Sequence, residues 1–131
     1  MKAAYPIIMS KGKEFIVVYV PDFDINTQGT DYADAIAMAR DAIGLVGMDM
    51  EDESEPIPAP SEAAGVKPKN LDDVVSLVDV DFAEYRRKHD ERMVRRNITL
   101  PAWLDAAASA KKVNVSRVAQ TALKELLHVA D

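Results

Sequence analysis

The chain contains no cysteine. That excludes a disulfide framework, a reactive thiolate and any zinc site built on cysteine. Long hydrophobic runs are missing too. No segment reaches the length needed to cross a bilayer, and the apolar stretch before Lys11 is too short for a signal peptide. Histidine occurs only at His89 and His128. No Ser-His-Asp grouping, glycine-rich phosphate loop or metal-ligand spacing is visible. The expectation is a soluble cytoplasmic protein with no metal, no cofactor and no catalysis.

What is present is a folded composition divided by charge. At 131 residues and 48% hydrophobic content, the chain can hold a small globular domain and a dimerising appendage. Its net charge of −6 conceals a split. Residues 92–131 carry seven Lys and Arg against three Asp and Glu, a net +4, which leaves −10 for residues 1–91. A basic module suits phosphate, and an acidic one suits a basic partner.

In the acidic part, residues 3–9 and 14–20 are β-rich runs joined by Ser10-Lys11-Gly12-Lys13, with Gly12 available for positive φ. Pro6 cannot donate to a ladder, so the first strand is expected at an edge or a bulge. Pro21-Asp22-Phe23-Asp24 closes the second strand, and residues 25–29 read as a short third. Thr30 or Asp31 can cap the helix that follows, which runs to about residue 50. Its expected buried stripe is Ala33, Ile36, Ala37, Ile43, Val46 and Met50. An acidic run and the alternating prolines of Pro56-Ile57-Pro58-Ala59-Pro60 end it in a connecting loop. Val74–Val80 is the next strand, and residues 82–93 read as a charged helical linker. The order strand-strand-strand-helix-strand is an α+β layer with one helix on a sheet.

In the basic part, Arg95, Asn97 and Thr99 alternate with Arg96, Ile98 and Leu100, as in a strand with one polar face. Pro101 ends it and starts a helix expected over Ala102–Lys112, with Trp103, Leu104, Ala107 and Ala108 on one side. After a turn at Val113-Asn114-Val115, Ser116 is the expected N-cap of a helix to His128. An isolated strand with two open edges is unstable, so a second copy must pair with it. The stretch predicts a homodimer, and further assembly to a tetramer through the N-terminal sheets stays open.

This stretch, from about Val94 to Leu127, resembles the ribbon-helix-helix DNA-binding family. The resemblance implies base-reading positions at Arg95, Asn97 and Thr99, side chains able to bridge guanine, bridge adenine and offer a hydroxyl. It also implies a phosphate at Asn114, Ser116 and Arg117, where free backbone N–H groups open a helix. Arg96 departs from that pattern, because the inward face there is usually apolar.

Tyr5-Pro6-Ile7, Val20-Pro21-Asp22-Phe23, Thr27-Gln28-Gly29, Ala33-Asp34-Ala35 and Pro56–Ser61, in that order, resemble the HicB antitoxin family. That resemblance implies a partial RNase H-like fold over residues 1–81, which masks a HicA-like toxin, a small basic mRNA-cleaving protein. Residues 94–131 would be the ribbon-helix-helix domain that binds operator double-stranded DNA and represses the operon. Candidate toxin contacts are Tyr19, Asp22, Phe23 and Asp24. Two other readings are a stand-alone regulator whose N-terminal domain binds another ligand, and a metal-dependent nuclease. The nuclease is disfavoured because its fold needs a carboxylate on the first strand, and residues 3–9 have none. Asp22, Asp24, Asp79 and Asp81 remain its candidate ligands.

Overall fold

Tyr5, Ile7 and Met9 alternate with Ala4, Pro6 and Ile8, so the period of a strand puts the first three on one face. All three are buried. They belong to β1 (Lys2–Lys11), which pairs antiparallel with β2 (Ile16–Val20) and with β4 (Val74–Asp81); β3 (Ile25–Gly29) pairs with β2. The sheet order is β3-β2-β1-β4. The computed structural model describes residues 1–129, so the last two residues of the 94–131 span lie outside the described residues.

Two hairpin expectations are corrected. Pro6 lies on an inner strand of the sheet and is fully buried. It is tolerated because β2 pairs with β1 only from Ile8 onward, so at Pro6 one side of β1 carries no ladder. Gly12 does not use positive φ; that conformation falls on Asp24, at φ 50°, in the next turn.

Helix α1 (Tyr32–Asp52) begins at Asp31, whose carboxylate accepts from the Asp34 N–H. Its buried residues are Ala35, Ala39, Ile43, Gly44 and Gly47. The expected stripe is therefore rotated, with Ala33 and Ala37 exposed. Small residues win the inner face because the sheet and a second helix approach closely there. A Cβ built on Gly44 would fall 2.3 Å from the Tyr85 ring, and one on Gly47 2.3 Å from the Phe82 ring.

That second helix is α2 (Phe82–His89), capped by Asp81. The span read as a helical linker is a helix as far as His89, and it packs on α1 with Phe82 buried in the core. Arg86 fastens it. Its guanidinium donates to the Met48 carbonyl at 3.2 Å and to Asp52 and Asp90 at 3.0 and 2.9 Å. The last turn of α1 contains no basic residue, so Arg86 supplies the cation its C-terminal end favours.

The chain divides into two compact units, Met1–Arg92 and Met93–Asp131. The second holds α3 (Ala102–Ala110) and α4 (Val115–Leu127). Residues 90–101 have no helix or strand. The expected strand over residues 95–100 is therefore not formed within one chain, since strand pairing needs a second extended segment beside it. Helix α3 ends two residues early, with Lys112 in the left-handed region. The cap of α4 is Asn114 rather than Ser116; its side chain accepts from the Arg117 N–H at 3.0 Å.

Candidate functional site

The turn between β2 and β3 gathers the N-terminal candidates, and each has a partner within the chain. The Tyr19 hydroxyl donates to Asp24 Oδ1 at 2.8 Å, a bond that raises its pKa above the usual phenol value. Asp22 accepts from the Ser61 N–H at 2.9 Å and from the Ser61 hydroxyl. Phe23 sets its ring edge against Tyr5, with centroids 4.9 Å apart. Tyr5 donates to the Pro58 carbonyl at 2.8 Å; burial, then the charge of Asp22, raises its pKa. The turn therefore pins the proline-rich loop to the sheet. Only Asp24 of the four candidates is exposed.

The carboxylates a nuclease would need are engaged in the same way. Asp79 takes an ion pair from Arg40 at 3.0 Å, which lowers its pKa. Asp81 caps α2 through the Glu84 N–H. Among the described residues no three His, Asp or Glu side chains group as a metal site. His89 stacks on the Tyr85 ring at 4.0 Å, and its Nδ1 lies 2.9 Å from the Tyr85 carbonyl. No described helix is long and apolar enough to cross a membrane.

In the second unit, Arg95, Asn97, Thr99, Asn114, Ser116 and Arg117 are all exposed. Asn114 spends its side-chain oxygen on the cap, while Ser116 and Arg117 stand in the first turn of α4. Trp103 and Leu126 are 72% and 74% exposed, and Val118 and Leu123 are exposed beside Leu126 on α4. Apolar side chains at this spacing on two short helices have no core of their own.

A family model described as the HicB-like antitoxin of bacterial toxin–antitoxin systems matches residues 5–124. The chain belongs to that family. A 14.9 kDa protein in the rep-hol intergenic region of Haemophilus phage HP1 is 34% identical over 103 residues, 76% of this chain and 74% of that one. Two solved structures share the fold. A toxin–antitoxin complex from Streptococcus pneumoniae superposes with a TM-score of 0.62 at 22% identity, covering 95% of this chain and 99% of that one. The Burkholderia pseudomallei antitoxin HicB gives 0.57 at 24%, covering 96% and 98%. Among the described residues this HicB-like chain has a mixed α+β fold with one antiparallel sheet and four α-helices.

Sequence reasoning did not find the roles of Arg86, Arg40 or Ser61, which reach Asp52, Asp79 and Asp22 across 34 to 39 residues of chain. No local pattern marks such pairs.

Proposed function

We propose that this chain is an antitoxin and autorepressor: the first unit binds and masks a small basic mRNA-cleaving toxin of HicA type, and the second binds operator DNA as a homodimer. In this reading the first unit is a partial RNase H-like domain and the second a ribbon-helix-helix domain, two ribbon strands pairing across the dimer. Arg95, Asn97 and Thr99 face bases, while Ser116, Arg117 and the start of α4 hold a phosphate.

The observation that carries it is the division itself. An acidic unit with its own core precedes a basic unit whose apolar helical faces are exposed. Such faces need a second copy to cover them. The family match supports the antitoxin role, and the pneumococcal relative is itself a toxin–antitoxin complex.

The test is co-expression with the adjacent small reading frame, scored for growth rescue and co-purification. Rescue with a stable complex is expected. A frame that is harmless alone and captures nothing overturns the reading, and leaves a regulator whose N-terminal unit binds something else.

A further inference from the structure

The sheet has two outer strands, and they are not alike. β3 is five residues long and carries Asn26, Thr27 and Gln28. β4 is eight residues long, Val-Val-Ser-Leu-Val-Asp-Val-Asp, with neither proline nor lysine to blunt it. Two contacts fix which of its backbone groups face outward. The N–H of Phe82 donates to the Met1 carbonyl at 2.9 Å, prolonging the β1 ladder, so even-numbered positions face β1. The Asp79 carbonyl instead accepts from Arg40 Nε at 2.9 Å, so odd-numbered positions face away.

Of the outward positions, Asp79 is covered by Arg40, and the Asp81 side chain is committed to capping α2. Val75 and Leu77 remain. Among the described residues the Leu77 carbonyl has only a long contact with the Ser76 hydroxyl, at 3.4 Å, and its side chain is 54% exposed. The result is a short open edge with an apolar centre and carboxylates at both ends: exposed Asp72 and half-buried Asp73 before it, Asp73 accepting from the Asn70 N–H, and Asp79 and Asp81 after it, with Asp79 paired to Arg40.

We infer that this edge, centred on Val75 and Leu77, receives an extended strand from a cationic protein partner. The inference deepens the antitoxin reading and rests on it, since the partner meant is the toxin. Backbone hydrogen bonds to Val75 and Leu77 supply the pairing, one apolar side chain meets Leu77, and flanking Lys or Arg meet the carboxylates. A second copy fits less well. Antiparallel self-pairing about Leu77 would set Asp79 against Val75 but Asp81 directly against Asp73, and like charges so placed repel. Arg40 sets the limit of the added strand, because its guanidinium already occupies the edge at Asp79.

The experiment uses the full chain and the protein encoded by the adjacent reading frame. Leu77→Lys is expected to weaken the complex on the order of tenfold or more, and Leu77→Glu clearly less, because a cationic strand is repelled by the first only. Met38→Lys, on the exposed side of α1, should leave affinity unchanged. On the wild-type complex, amide hydrogen exchange at Val75 and Leu77 should slow relative to the free chain. Unchanged exchange at both amides, or unchanged affinity in Leu77→Lys, overturns the edge while the antitoxin reading stands. Loss of self-association in Leu77→Lys with toxin affinity intact assigns the edge to a second copy and also overturns it. Wild-type protein that binds nothing removes the antitoxin reading, and this inference with it.

Discussion

Gly47 of α1 lies against Phe82 of α2 so closely that an added Cβ would meet Cε1 at 2.3 Å. Phe82 is buried in the core, so its ring has little room to move aside. Gly44 makes the same approach to Tyr85, which is only partly buried. Alanine is the better helix former by about 1 kcal/mol, but overpacking a core costs about 1–3 kcal/mol. Gly47→Ala should therefore lower stability in urea unfolding, and by more than Gly44→Ala. Equal or raised stability in Gly47→Ala would show that the two helices can separate at no cost.

Acid should weaken the first unit in a defined direction. Asp90 is held well below the carboxylate range by Arg92 and Arg86, and Asp73, Asp79 and Glu84 are lowered by hydrogen bonds led by Ser10, Arg40 and Arg87. A carboxylate whose pKa is depressed on folding stabilises the fold above its unfolded value, and this is lost as pH falls through the folded value. Urea midpoints should stay level from neutral pH to about pH 5 and fall below about pH 4. Asp90→Asn should flatten part of that fall; an unaltered profile would remove Asp90 from the explanation.

On the proposed DNA face, Arg95→Ala and Asn97→Ala should each weaken specific operator binding by about 1–3 kcal/mol, roughly tenfold to hundredfold, with toxin neutralisation intact. Arg117→Ala should weaken binding to all sequences alike and reduce the salt slope by about 1. A titration at fixed salt that shows unchanged operator affinity in Arg95→Ala contradicts its place on the ribbon.

Charge placed on the exposed apolar side chains of α3 and α4 should break the proposed dimer. Trp103→Lys and Leu126→Lys are expected to sediment as monomers at concentrations where the wild type is dimeric, and to lose operator binding. A variant that stays dimeric would assign self-association to the first unit.

Several elements were legible because their signals are local. The strand at 74–80 is rich in valine, with Ser76 and Asp79 as its polar positions, and it appears as β4 with one further residue. The long helix shows its cap at Asp31 and its end before the prolines. Of its expected stripe Ile43 is buried and Ile36 packs against the core, but Ala33 and Ala37 are exposed, and Ala35, Ala39, Gly44 and Gly47 take the inner face instead. Residue type alone does not separate Ser116 from Asn114 as a cap, and Asn114 stands where the backbone turns. The helix within segment 82–93 was legible, but its charge density hides the one buried ring, Phe82, and the one pinned cation, Arg86, that dock it on α1.

The amino-acid sequence by itself determined the separation of an acidic β-rich part from a basic helical one, and the order of the elements that each unit forms. Period, caps and prolines act within a few residues, so they can be read along the chain. Only the tertiary structure decided that β1 is an inner strand despite Pro6, that α2 docks on α1 through two glycines, and that Arg40 and Arg86 reach carboxylates and carbonyls far away in sequence. It also decided which turn carboxylates are already occupied and which edge of the sheet is open. Those outcomes depend on distance between segments that only packing brings together, and no local rule of spacing encodes that distance.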